Sequence, residues 1–78
     1  MHEWLEQARA SLAEAVGRPP EEYDLSQADV DELLELARVA AHDSGERINA
    51  PLVCYLVGLA RGRHGVELTA LVDTALSR

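Results

Sequence analysis

The chain has 78 residues, room for one domain near the lower size limit for independent folding. Hydrophobic residues make up 47% and charged residues 27%. That balance belongs to a globular chain and excludes a disordered tail, while the length excludes a dinucleotide-binding domain or a β/α barrel. The net charge is −7, with fourteen acids against seven basic residues, all of them Arg. Residues 1–35 hold ten acids and two Arg, a net of −8, and residues 36–78 hold four acids and five Arg, a net of +1. An acidic half of this strength repels phosphate backbones, so nucleic acid is not an expected partner.

The lone cysteine, Cys54, has no partner for an internal disulfide and gives no sign of an oxidising compartment. No basic stretch leads into an apolar leader, and the longest apolar run, Leu52 to Ala60, has nine residues where about 20 are needed to span a bilayer. The expectation is a cytoplasmic protein with no membrane partner.

The first predicted helix covers His2 to Val16. Trp4, Leu5, Ala8, Leu12, Ala15 and Val16 recur at spacings of three and four and share one face. Glu3 and Glu6 suit the positive end of the helix dipole. Gly17 is a C-cap, and Pro19-Pro20 prevents continuation. Residues 19–25 read as a linker whose Tyr23 and Leu25 fold back over the core.

Ser26, with Asp29 three residues on, has the form of a capping box and opens a second helix from Gln27 to Asp43. Val30, Leu33, Leu34, Ala37, Ala40 and Ala41 form its expected buried stripe, with Asp31, Glu32 and Glu35 in water. Gly45 ends it, and residues 44–49 form a loop. The third helix is predicted from Pro51, a residue tolerated in a first turn, to Arg61. Leu52-Val53-Cys54-Tyr55-Leu56-Val57 has no polar face, so this helix is expected to be buried as a hub or covered by a second copy. Gly58 disfavours helix by about 1 kcal/mol, and close approach of a neighbouring helix is the expected compensation. Gly62 and Gly65 are read as terminators. A last helix over Val66 to Ser77 carries Leu68, Leu71, Val72, Ala75 and Leu76. The fold class is therefore all-α, a compact bundle of four short helices with a buried third helix, in one domain over residues 1–78.

Few constellations carry chemistry. Asp24-Leu25-Ser26 places a Ser at the start of the second helix, as in acyl carrier proteins, but the Asp-Ser-Leu order of those proteins is scrambled and capping accounts for the Ser. Cys54 sits in the most apolar stretch, where burial raises a thiol pKa and suppresses reactivity. Gly62 and Gly65 among Arg61, Arg63 and His64 offer weak anion-binding potential at most. No nucleophile, base and oxyanion set assembles, so no catalytic residue is assigned. The candidate binding or docking residues are Arg38, His42, Glu46, Arg47 and Asn49. Arg38 and His42 are i and i+4 on one helical face, and the other three follow in the loop. His42, Asp43 and Glu46 could supply metal donors, but their spacing matches no strong motif. The same residues have a structural use, with Arg47 pairing to Glu46 or Asp43 and Asn49 capping the third helix.

The stretch from Leu36 to Gly58 holds Leu36-Ala37-Arg38, Ala41-His42, Glu46-Arg47, Asn49-Ala50-Pro51-Leu52 and Tyr55-Leu56-Val57-Gly58. With the opening Trp4-Leu5, it resembles a small bacterial helical domain that occurs alone or fused behind the nucleotidyltransferase that makes molybdopterin guanine dinucleotide. Val39 departs from that pattern, in which an acid is common. The resemblance implies an association rather than an activity. The expected function is a non-enzymatic accessory or interaction module linked to molybdenum-cofactor biosynthesis, with no cofactor of its own. Its partner would be another protein or a second copy in a homodimer. The alternatives are a small-ligand or metal-binding domain centred on His42 and the Arg38/Arg47 loop, and an enzyme whose site forms only across a homodimer.

Overall fold

A computed structural model describes residues 2–78. In chain order it contains α1 (Glu3–Val16), a single 3-10 turn (Pro20–Tyr23), α2 (Gln27–Ser44), α3 (Asn49–His64) and α4 (Leu68–Ala75). The described residues contain no strand, so the all-α, four-helix expectation holds. None of the helices is long and apolar enough to cross a membrane.

The helix ends follow from local chemistry. The His2 ring nitrogen accepts the Trp4 N–H at 3.0 Å, which makes His2 the cap of α1 rather than its first residue. Gly17 closes α1 in the left-handed region at φ 68°, where the absence of a Cβ removes the usual penalty. At α2 the capping box is complete: Ser26 Oγ accepts the Asp29 N–H at 3.0 Å and the Asp29 carboxylate accepts the Ser26 N–H at 3.1 Å. Gly45 ends α2. The third helix is longer than expected at both ends. It starts at Asn49, with Ile48 as a cap that makes no side-chain hydrogen bond, and runs through Gly62 to His64. Gly62 therefore does not terminate it. Gly65 does, donating its N–H to the Arg61 carbonyl at 2.9 Å, and Arg61 and Arg63 bring positive charge to the negative helix end.

The core is built by α2, α3 and α4, which pack pairwise on one another. Leu36, Val57, Leu68 and Val72 are buried at its centre, with Leu33, Val53, Cys54, Leu71 and Leu76 packed around them. The buried side of α2 is rotated from the expected one. Leu36, placed outside the expected stripe, is 0% exposed, while Leu34 is 65% exposed. Leu34 lies on the solvent ridge Asp31–Leu34–Arg38–His42. The cause is the position of α3 and α4, which meet α2 along Leu33, Leu36 and Ala40, a row that a pattern of leucines and alanines alone does not single out.

Two further expectations are corrected. The third helix is the hub in that both α2 and α4 pack on it, but it is not enclosed. Val57 is buried, whereas Leu52, Tyr55 and Leu56 are exposed, because α2 and α4 pack on one side of α3 and α1 does not pack on it. Instead α1 packs on the 3-10 turn and makes no close backbone approach to the other helices. Of the face expected to be buried, Trp4, Leu12 and Val16 are exposed, and the fully buried residue of α1 is Ala13. Gly58, too, is not a point of close approach, since a Cβ built there would meet nothing within 4 Å.

Candidate functional site

The five residues selected from the sequence lie along the second half of α2, in the α2–α3 loop and at the start of α3, but they do not converge. Arg38 is exposed and turns back along α2, donating through Nε and Nη2 to Glu35 at 3.0 and 2.7 Å. Glu35 also accepts from Arg78 at 3.3 Å. Hydrogen bonds from these two guanidinium groups hold the Glu35 carboxyl below its ordinary range. His42 is exposed, and its nearest charged neighbour is Asp43 at 3.4 Å. Among the described residues, no group of three or more His, Cys, Asp or Glu is placed to hold a metal ion, so His42, Asp43 and Glu46 do not form the donor set the metal reading requires.

Glu46 contributes its backbone to the loop, its N–H donating to Ser44 Oγ at 3.2 Å. Arg47 is exposed in the turn, and its anticipated pairing with Glu46 or Asp43 is not formed. Asn49 is the first residue of α3 rather than its cap. It borders a shallow hollow of about 380 Å³ with Asp43, Ser44, Val53 and Leu76 among its walls, and none of Arg38, His42, Glu46 or Arg47 reaches that hollow.

Two features outside those five residues are better defined. The first is the outer face of α3. Ile48, Leu52, Tyr55 and Leu56 stand at i, i+4, i+7 and i+8, so they share one side of the helix over two turns. Their exposures lie between 58 and 67%. No charged residue occurs from Ile48 to Ala60, so this ridge is neutral on an otherwise acidic molecule. The signal was present in the sequence as the absence of a polar face, but burial and exposure of that surplus read alike until the neighbouring helices are placed.

The second is a groove of about 610 Å³ between α1 and the bundle. Leu5, Ala8 and Leu12 form one wall, and Leu33, Cys54 and Leu68 lie across from them. Tyr23 and Leu25, expected to cover the core, line the groove instead. Gly58 and Gly62, one turn apart on α3, also face it. Burial pushes the Cys54 thiol pKa up, so the thiolate is scarce, in keeping with its apolar setting.

The middle of α1 is pinned by Arg9. Its guanidinium donates to the Glu6 carboxylate at 2.8 Å, to the Pro20 carbonyl at 2.8 Å and to the Asp24 carboxylate. The Glu6 hydrogen bond, joined by the charges of Glu6 and Asp24, raises the Arg9 pKa above its ordinary value. On α3, Arg61 reaches the same groove. Its nearest carboxylate is Asp29 at 3.6 Å, beyond hydrogen-bond distance.

The family described as a domain of unknown function (DUF6457) matches residues 1–78, and the chain belongs to that family. Neither the curated proteins nor the solved structures include one that matches it.

Proposed function

We propose that this domain is a non-enzymatic docking module, and that the ridge Ile48–Leu52–Tyr55–Leu56 is the surface it presents to a protein partner. The observation that supports this reading is the excess of apolar surface. Among the described residues eleven large apolar side chains are exposed, against five apolar residues buried. Single exposed leucines need no explanation, but a contiguous apolar ridge on a soluble domain marks an interaction surface. A helix offering anchors at i, i+4, i+7 and i+8 docks into an apolar groove or against a second helix. Tyr55 at the centre has the combination of apolar ring and polar tip that anchors interfaces. The ridge carries no charge, so burying it desolvates no ion.

The resemblance of residues 36–58 and of Trp4-Leu5 supports a more specific reading. The partner is then the nucleotidyltransferase that makes molybdopterin guanine dinucleotide, or another protein of molybdenum-cofactor maturation, met in the cytoplasm. Arg38, His42 and Arg47 are exposed on α2 and in the α2–α3 loop and would offer further polar contacts to the same partner, with Glu46 and Asn49 shaping the loop.

Co-purification from native extract, with the retained proteins identified, tests this. Retention of a molybdenum-cofactor protein, reduced at least about tenfold by Tyr55→Glu, is the expected result. Failure to retain any such protein, or equal retention by the variant, overturns it. A light-scattering mass of twice the chain, lost in the same variant, would assign the ridge to a second copy instead.

A further inference from the structure

We infer that residues 3–24, α1 with its 3-10 turn, are a hinged arm that swings at Asp24–Leu25–Ser26 and closes its apolar face on the bundle, and that the groove is the gap of its open position. The division of the molecule comes first. No Cα of α1 or of the 3-10 turn lies within 8 Å of one in α2, α3 or α4, a separation that packed helices, with axes about 8–10 Å apart, do not keep. Among the described residues no hydrogen bond or ion pair joins residues 3–24 to residues 26–78. The chain is thus two bodies connected through Leu25.

Each body is tied internally. Arg9 joins Glu6 on α1 to the Pro20 carbonyl and to Asp24 beyond the turn. Arg18 donates through Nε to Glu22 at 2.5 Å and through its backbone N–H to the Ala13 carbonyl at 3.0 Å, and Ala13 is fully buried. These contacts make α1 and the turn move as one piece, while Leu36, Val57, Leu68 and Val72 hold the bundle. The connection is different. Asp24 and Ser26 have extended backbones, at φ −68° and −71°, and among the described residues no backbone hydrogen bond involves Leu25. A few such residues between two rigid pieces absorb the rotation of a hinge.

Two apolar faces confront each other across that hinge. Leu5, Ala8 and Leu12, at i, i+3 and i+7, belong to the arm, and Leu33, Cys54 and Leu68 to the bundle. The gap of about 610 Å³ between them keeps both open to water, and Leu12 is 65% exposed although it borders apolar side chains. Closure removes both faces from water, which is favourable. It also breaks no ion pair, because every charged side chain at the groove has its partner on its own side: Arg9 with Glu6 and Asp24, Glu22 with Arg18, and Arg61 with Asp29. The short connection holds the arm's face at high effective concentration against its own bundle, which favours closure over exchange of arms between two copies.

Cys54, the lone cysteine, makes the motion measurable. A disulfide needs Cα atoms within about 7 Å, closer than the open position allows between α1 and α3. Leu12→Cys and, separately, Leu5→Cys each place a thiol across the groove from Cys54, and Glu14→Cys, exposed on α1 and away from the groove, is the control. Each variant of the full chain is verified for helicity by circular dichroism, then oxidised when dilute in a glutathione buffer without denaturant, and its products are read by mass and peptide mapping. The expected result is an intramolecular disulfide to Cys54 in at least one of the two leucine variants, formed at least about tenfold faster than in the control, since the swing requires no unfolding. Adding Tyr55→Glu should leave that rate unchanged, because the docking ridge does not border the groove. The inference is overturned if neither leucine variant forms the intramolecular disulfide, or if Glu14→Cys forms it as fast, which would report unfolding. A disulfide joining two chains instead would show the arm of a second copy in the groove and overturn it equally.

Discussion

Helix α1 has 14 residues and α4 has 8, and α1 carries more large apolar side chains. Yet α4 buries Leu68 and Val72, while α1 fully buries only Ala13. Both helices are amphipathic, so amphipathicity does not separate them; their connections do. A short link through Gly65 returns the chain from α3 and lays α4 onto α2 and α3. Pro19, Pro20 and the 3-10 turn stiffen the connection after α1 and hold it over the groove, where Arg9 and its acceptors do the fastening. One end of the molecule is thus secured by apolar burial and the other by polar contacts. The less secured end is where a site can open.

The largest expected effect separates these two modes directly. Leu68→Ala should destabilise by about 2–5 kcal/mol, the range for deleting a buried leucine side chain, and Leu12→Ala in α1 by less than about 0.5 kcal/mol. Urea denaturation measures both, and similar costs would mean that α1 is packed as tightly as α4. A domain this small has only a few kcal/mol to lose, so the Leu68 variant should be substantially unfolded without denaturant.

Gly58→Ala should act in the opposite direction. Its Cβ meets nothing and the helix interior favours Ala by about 0.8–1 kcal/mol, so the melting temperature should rise by several degrees. A fall would reveal a close neighbour on α3 that the groove excludes. Arg9→Ala should loosen α1 selectively: amide exchange should speed up across Glu3–Val16 and stay unchanged at Leu36 and Val57. Uniform acceleration would show instead that α1 unfolds together with the core.

The smallest effect concerns Glu35. Its pKa is lowered by the hydrogen bonds from Arg38 and Arg78, so the folded state favours the carboxylate. The associated stability is fully present above the ordinary glutamate pKa of about 4.3 and is lost as the pH falls through the lowered folded value. Glu35→Gln should remove that part of the acid sensitivity and leave stability near neutral pH only slightly reduced, since exposed pairs contribute little. Parallel denaturation series at pH 3 and pH 7 measure the difference.

Much of the fold was legible because helix ends are local. The bounds of α2 and the caps at Ser26, Gly17 and Gly45 depend on hydrogen bonds and backbone angles within a few residues, and side-chain identity at those few positions decides them. The basic finish of α3 was visible for the same reason, although its last turn was not, because a glycine within a helix and a glycine ending one differ only in the backbone angle adopted. The candidate site was much less legible. Arg38, His42, Glu46, Arg47 and Asn49 are close along the chain, yet they form no shared pocket. The ridge lies on α3 alone but is set by where the other helices pack, and the groove draws on residues from all four helices and the 3-10 turn.

Four helices, the caps at Gly17, Ser26 and Gly45 and the surplus of apolar side chains on α3 are therefore written in the order of residues, since each arises from neighbours along the chain. Which side of each helix meets another is not. Leu36 rather than Leu34 lies inside, Leu52 and Tyr55 face water, and Gly58 borders open space because of where the turn at Pro20–Tyr23 sends α1. Burial is a relation between surfaces distant in sequence, and only their arrangement in space settles it.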